Sequence, residues 1–233
     1  MFNNNFSIGI VGLGTVGTAT IQLLEKKIES INFKSGKNIL IKVISSKNFS
    51  KKRNIDLTKY EWENNPEKLA IRDDIDAVVE LVGGSDGIAK SLAFSAINNE
   101  KHFITANKAL IAKHGFELHK KIIDKNISIY YEAAVAGAIP IINGIKNGLV
   151  SSNIIGIEAI LNGTCNYIMS DMTSNNISFQ DSLKTAQELG FAEADPSFDI
   201  EGIDSAHKLV ILGMLAYGAK PNLDKVFIEG ITS

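Results

Sequence analysis

The chain has 233 residues, 45% of them hydrophobic and 21% charged, with a net charge of −2. That length holds one large domain or two modest ones and is enough to bury a core. The near-neutral balance argues against a general nucleic-acid or anionic-membrane binder, and no apolar run reaches the length of a membrane span. The single cysteine, Cys165, cannot form an intrachain disulfide and fits a reducing compartment. Residues 1–7 are polar and Asn-rich, without a charged segment leading into an apolar one. No signal peptide is expected there, and the cytoplasm is the default location.

Residues 7–11 form a short β-rich run, and 15–28 carry helical spacing. Residues 38–45 read as a second strand, rich in Ile and Val. The interval 48–75 is polar and poorly periodic, which predicts loops and short helices. A third strand is expected over 76–82, a helix over 85–98, a fourth strand over 102–105, an amphipathic helix over 109–125 and a fifth strand over 128–133. Near-continuous apolar strands separated by helices predict an α/β fold, a doubly wound parallel sheet covered on both faces. The pattern changes after Gly137. Gly137-Ala-Ile-Pro140 marks a turn and a helix start. A strand is expected over 153–161 and helices over 162–174, 179–189 and 204–217. These elements place a domain change near Val135, with units 1–134 and 135–233, the second of α+β type.

Gly12-Leu13-Gly14-Thr15-Val16-Gly17 follows the first strand and opens the first helix. Gly12 permits the tight turn, Gly14 lets a pyrophosphate approach the backbone, and Gly17 lets the helix pack against the sheet. The phosphates then meet the positive end of that helix. Unit 1–134 is therefore expected to bind a dinucleotide. The second strand ends in Ser45-Ser46-Lys47, with Lys51, Lys52 and Arg53 soon after, and offers no carboxylate for a ribose diol. Hydroxyls and cations there favour a 2′-phosphate, so NADP over NAD; a solvated basic run gives the same pattern.

Glu80-Leu-Val-Gly-Gly84 closes the third strand and Thr105-Ala-Asn-Lys108 the fourth, both at the carboxyl edge where such sheets bind ligands. Gly83 and Gly84 keep that edge open. Lys108 is a candidate for binding or proton transfer, or else a surface lysine opening a helix. Further on, Glu193, Asp195, Asp199 and Asp204 crowd into one short stretch. Asp204 and Lys208 are four apart and share a helix face, so the Asp can hold the Lys and tune its proton affinity. We read this stretch as a site that binds an ammonium group and moves a proton; an exposed ion pair with a capping Asp is the plain alternative. In Asn162-Gly163-Thr164-Cys165-Asn166, Thr164 is a plausible helix cap, and the free amides at Gly163 and Thr164 suit an anion or a carbonyl oxygen. Cys165 is either a thiol nucleophile or a small buried residue. His102, His114, His119 and His207 show no metal-ligand spacing.

In order along nearly the whole chain, these motifs resemble the homoserine dehydrogenase family. The set includes Glu132-Ala-Ala-Val-Ala-Gly137, the Ile139-Pro140 step, Gly190-Phe-Ala-Glu-Ala-Asp-Pro196, and Asp199, Gly202, Asp204 and His207-Lys208. The resemblance implies a Rossmann domain followed by a mixed domain for substrate and dimer contacts, hence a homodimer. It implies NAD(P)-dependent interconversion of L-aspartate 4-semialdehyde and L-homoserine, a step of threonine, methionine and isoleucine biosynthesis. Lys108 and Lys208 match the lysines at the reacting centre, and Glu193, Asp199 and Asp204 match the acidic residues around the substrate and the catalytic lysine. Glu132, with the backbone of Val135, Gly137 and Ile139, matches a monovalent cation site, usually sodium. Family members usually continue with further strands and a Gly-rich segment that returns to the nucleotide domain. Two other readings stand beside this one. One is a semialdehyde dehydrogenase using Cys165 as nucleophile; the other is a nucleotide-binding fragment without catalysis.

Overall fold

The computed structural model describes residues 4–232. Met1 to Asn3, within the polar start read as lacking a signal peptide, lie outside the described residues, as does Ser233. The chain divides into two compact units, Met1–Ala134 and Val135–Ser233.

The first unit alternates strands and helices. In order they are β1 (Asn5–Val11), α1 (Thr15–Ser35), β2 (Asn38–Ser45), a 3-10 turn (Leu57–Lys59), β3 (Glu61–Trp62), α2 (Pro66–Ala70), β4 (Ala77–Glu80), α3 (Ile88–Asn98), β5 (His102–Thr105), α4 (Lys108–Lys121) and β6 (Ile129–Tyr130). The strands form one parallel sheet in the order β3-β2-β1-β4-β5-β6. This is the order of Rossmann-type sheets, whose winding reverses between β1 and β4 and leaves a crevice at the strands' carboxyl ends. Ile8 and Ile10 of β1 pack with Leu13, Ile21, Ile44, Ala77 and Val79 in one buried cluster. Each Ile, Leu or Val among them contributes about 1.5–3 kcal/mol on full burial, which ties α1 and the glycine loop to the sheet.

Several boundaries differ from the sequence expectation for local reasons. Helix α1 runs past Ile28 to Ser35 and stops where Gly36 turns left-handed at φ 67°, its N–H donating to Asn32 O. Helix α3 starts at Ile88 instead of residue 85, because Gly87 holds φ 64° and ψ −133° outside the helical region. The expected fifth strand over 128–133 pairs only at Ile129–Tyr130, and Glu132–Ala134 already turns as 3-10 helix. The polar interval contributes an unexpected edge strand. β3 pairs with β2 through Glu61 and Trp62 and is fastened by Arg72, which bridges Glu61 and Asp74.

The second unit is helical among its described residues. It contains a short turn of helix α5 (Ile141–Asn143) running into a π-turn (Gly144–Gly148), then α6 (Gly163–Asn175), α7 (Phe179–Glu188), α8 (Ser197–Ile200), α9 (Ile203–Tyr217) and a 3-10 turn (Leu223–Lys225). The helix start read at Pro140 is present, with Pro140 itself as the cap. The strand expected over 153–161 is not formed, so the α+β character expected of this half is not seen. An extended segment becomes a strand only when a neighbour completes its ladder, and none of the described residues does so. Ile155 and Ile160 of that segment are 94% and 77% exposed. One core cluster lies between α6 and α7, where Ile168, Ala186 and Ala192 are buried against Tyr167, Met172, Phe179, Leu183, Ile200 and Ile231, and α9 buries Ala206, Val210, Ile211, Leu212 and Met214. Among the described residues, no helix is long and apolar enough to cross a membrane.

Candidate active site

In the first unit, the glycine loop is constrained at two positions. Gly12 holds φ +100°, and a Cβ there would lie 2.5 Å from Leu81 O; a Cβ on Gly17 would overlap the Gly12 carbonyl oxygen. Gly14 has open space on its Cβ side, so a ligand can approach the backbone where α1 begins. No acidic residue stands in the first turn of α1 to compete for its free amides. Thr15 and Val16 are exposed there, whereas Leu13 is buried in the core cluster. Beside the loop is a cavity of about 200 Å³ lined by Val16, Leu81, Val82, Gly83, Ala106 and Asn107. At the carboxyl end of β2, the buried Ser45 Oγ has no hydrogen-bond partner among the described residues. An open helix N-terminus, a cavity and an orphaned hydroxyl at one sheet edge are a donor set that suits a dinucleotide.

Arg53 departs from the expectation of a cation free for a phosphate. Its Nε donates to Leu13 O, Nη1 to Phe49 O and Lys51 O, and Nη2 to Ser46 Oγ and Asn48 O. All five guanidinium donors are engaged, so Arg53 organises the loop after β2 and fastens it to the glycine loop. Lys47, Lys51 and Lys52 remain exposed on that loop. Lys108 is the half-buried first residue of α4, immediately after the capping Asn107, whose side chain accepts from Leu110 N.

The second unit gathers a connected polar network. Lys208 Nζ donates to Asp204 Oδ2 at 2.6 Å and to Leu161 O at 2.7 Å. Asn162 Nδ2 donates to Asp204 Oδ2 and to Asp199 Oδ1, both at 2.8 Å. The other side of the same amide, Asn162 Oδ1, accepts from Cys165 N and caps α6. The cap is therefore Asn162 and not Thr164. Thr164 Oγ1 lies 2.7 Å from Phe191 O and 3.1 Å from Asp199 Oδ2 and donates between them. Gly163 is exposed at the helix start. Asp204 is 1% exposed, so its charge is offset by the ammonium and amide it accepts from rather than by water. Sequence reasoning missed Asn162 as the junction; the clue was an Asn, a favoured helix cap, at the very start of the helix expected over 162–174.

The structure separates the acidic stretch into two groups. Asp199 and Asp204 belong to the network. Asp195 instead binds Ser197 through the backbone N–H and the hydroxyl, and the Ser197 hydroxyl holds its carboxyl below the usual carboxylate range. Glu193 is exposed, and its backbone carbonyl accepts from Gln187. An apolar-walled cavity of about 480 Å³ adjoins the network, with Asn162, Cys165, Asp199 and Ser205 among its lining residues.

Cys165 is buried, and its Sγ donates to Asp199 O at 3.2 Å. Burial, then the charges of Asp199 and Asp204, raise its pKa and disfavour the thiolate. That is the environment of an inert thiol. Cys165→Ser should therefore keep turnover within a few-fold of the parent, and Cys165 should react slowly with iodoacetamide at pH 7. Loss of activity in the serine variant, or trapping of an acyl-enzyme on Cys165, would return it to the mechanism.

The segment expected to hold a cation carries two non-glycine residues in left-handed backbone, Ala136 at φ 51° and Ala138 at φ 70°. Such conformations cost about 1–3 kcal/mol each and persist where the surroundings impose them. Ile139 N donates to Ala136 O within this turn, Val135 is buried, and Gly137 is exposed. Glu132 opens the preceding 3-10 turn. Among the described residues, no group of three His, Cys, Asp or Glu side chains could hold a metal ion, so a cation here would depend on backbone carbonyls.

Comparison with known proteins covers both units. Residues 12–132 match the family profile described as homoserine dehydrogenase, NAD binding domain, and residues 140–233 match the profile described as homoserine dehydrogenase. The chain is 43% identical over 226 residues to a homoserine dehydrogenase of Neisseria gonorrhoeae, covering 97% of this chain and 52% of that protein. It is 45% identical over 225 residues to the homoserine dehydrogenase of Helicobacter pylori, with the same coverage. The crystal structure of a homoserine dehydrogenase from Thiobacillus denitrificans superposes with a TM-score of 0.89 at 41% identity, over 98% of this chain and 53% of that one. The chain thus spans about half the length of the curated relatives it matches.

Proposed function

The chain belongs to the homoserine dehydrogenase family, and from that premise we propose that it carries the dinucleotide-binding and substrate-handling residues for interconversion of L-aspartate 4-semialdehyde and L-homoserine. The observation that carries the reading is the network of Lys208, Asp204, Asn162 and Asp199, which places the Lys208 ammonium on the buried Asp204 carboxylate and links it through Asn162 to the half-buried Asp199. When bound, the nicotinamide dinucleotide supplies or accepts the hydride. The protein's own part is to bind, orient and move one proton. Lys208, held by Asp204 and Leu161 O, delivers the proton to the developing alkoxide directly or through a water, and Asn162 keeps Asp204 aligned. Asp199 and Glu193 hold the substrate ammonium, and the amides at Gly163 and Thr164 receive its carboxylate or carbonyl oxygen. Lys108 binds substrate or polarises its carbonyl. No covalent intermediate is required, which agrees with a protonated Cys165.

We assign the dinucleotide to Gly12, Leu13, Gly14, Thr15, Val16 and Gly17, with Gly83, Lys108 and Lys47. The preference is for NADP, supported by the absence of a carboxylate after β2 and by the exposed Lys47, Lys51 and Lys52. A monovalent cation, sodium by family resemblance, on the carbonyls of Val135, Gly137 and Ile139 and on Glu132 would offset the strain at Ala136 and Ala138.

Separate titration of substrate and cofactor tests this division of labour. Glu193→Ala or Asp199→Ala should raise the semialdehyde KM roughly tenfold, as expected for a lost charge-assisted contact, while dinucleotide affinity stays near that of the parent. Variants that lose dinucleotide binding and keep the semialdehyde KM would refute it.

A further inference from the structure

Glu80 ends β4 and is fully buried, yet no cation pairs with it among the described residues. A buried carboxylate is costly unless hydrogen bonds replace the water it has lost. Glu80 Oε1 accepts from Val82 N at 2.7 Å and Gly83 N at 3.1 Å, and Oε2 accepts from Thr105 Oγ1 at 2.6 Å. Thr105 Oγ1 in turn accepts from Asn107 N at 2.9 Å, and Asn107 Nδ2 donates to Gly84 O at 2.6 Å. Asn107 Oδ1 caps α4, whose first residue is Lys108. One carboxylate thus closes a ring of hydrogen bonds between the loop after β4 and the loop after β5. Val82, Gly83, Ala106 and Asn107 from those two loops line the cavity beside the glycine loop.

We propose that Glu80 is a positioning residue for the dinucleotide site, fixing the two strand-end loops together and setting the start of α4 from which Lys108 projects. The proposal rests on the reading of this unit as dinucleotide-binding. A neutral side chain cannot reproduce the ring. In Glu80→Gln the amide nitrogen faces either the backbone N–H groups or Thr105, and a donor then meets a donor. Thr105 could turn to accept through its second lone pair, but its own buried O–H would then lose the acceptor that Glu80 Oε2 provides. An apolar side chain would serve if Glu80 merely filled space; a ring that sets loop geometry requires an acceptor on both sides.

The test compares the parent chain with Glu80→Gln, Thr105→Val and Thr105→Ser. The dissociation constants of NADPH and NADH are read from the fluorescence of the reduced nicotinamide, alongside the melting temperature of each ligand-free protein. Glu80→Gln and Thr105→Val should weaken both dinucleotides roughly tenfold at a temperature where every variant is folded, because each leaves buried donors misplaced. Thr105→Ser keeps the hydroxyl and should stay within about twofold of the parent. If Glu80→Gln does not fold, the Val and Ser pair decides. Lower melting temperatures with unchanged dissociation constants would overturn the proposal and leave Glu80 a purely structural group. A parent chain that binds neither dinucleotide would overturn both the proposal and the reading of the unit. A parent that binds them but does not reduce the semialdehyde would count against the proposed activity alone, and the affinity comparison would still decide the role of Glu80.

Discussion

Lys208→Ala should lower turnover roughly a hundredfold to ten-thousandfold, the usual cost of losing a positioned general acid or base. Lys208 Nζ is held from two sides, by the Asp204 carboxylate and the Leu161 carbonyl, so its position is set before substrate arrives. Pre-organisation of this kind distinguishes a working proton carrier from a mobile surface lysine. Dinucleotide affinity should change little, since the glycine loop belongs to the Met1–Ala134 unit and contributes to none of these contacts. Lys208→Met keeps most of the volume and separates lost chemistry from lost packing. Lys208→Arg should not rescue, because a guanidinium stays protonated at working pH and cannot serve as base in homoserine oxidation. Steady-state kinetics with both coupled substrates checks this; an alanine variant within a few-fold of the parent would remove Lys208 from the mechanism.

Asn162→Asp should have the second largest effect, and on stability as well as rate. The change keeps size and shape but replaces a double donor with an acceptor, 2.8 Å from carboxylate oxygens of both Asp199 and Asp204. Three carboxylates would then share a partly buried site with one lysine. Uncompensated buried charge typically costs about 3–5 kcal/mol, and urea unfolding at pH 7 should show a loss of that order. The sign of the pH dependence follows from the crowding. Like charges raise the folded-state pKa of the cluster above its unfolded value, so the folded variant binds more protons than the unfolded chain. Its deficit against the parent should therefore shrink as pH falls and grow as pH rises through the raised pKa. A variant as stable as the parent at pH 7 would mean that water, and not Asn162, satisfies the two acids.

Much of the first unit was legible in the sequence because its signals are local. The glycine loop declares a strand, a turn and a helix within a few residues, and β1, β2 and β5 are apolar runs of strand length. The edge strand β3 was not legible. Two residues carry no periodicity, and its place depends on partners at Val43, Ile44 and Arg72 that are distant in sequence. The segment 153–161 failed in the opposite way, since its Ile-rich spacing suits a strand while a strand also needs a ladder partner. Arg53 read as one of several cations that favour a 2′-phosphate, or as part of a solvated basic run, because its charge is visible in the sequence; the carbonyls that engage it are a property of the folded loop. In the second unit, the i,i+4 spacing of Asp204 and Lys208 foretold their ion pair. The density of acids suggested a single cluster, but Asp195 turned out to accept from the backbone N–H and hydroxyl of Ser197 instead. Asn162 escaped notice because an amide that caps a helix and bridges two carboxylates looks, in sequence, like any other Asn before a helix.

An absorbance assay of the purified chain tests the proposed activity directly. It would follow oxidation of NADPH and of NADH in the presence of L-aspartate 4-semialdehyde, and reduction of NADP and NAD in the presence of L-homoserine. Substrate-dependent turnover is expected in both directions, with NADPH at least as effective as NADH and with Lys208→Ala as the inactive control. Dinucleotide binding without turnover of either substrate would contradict it.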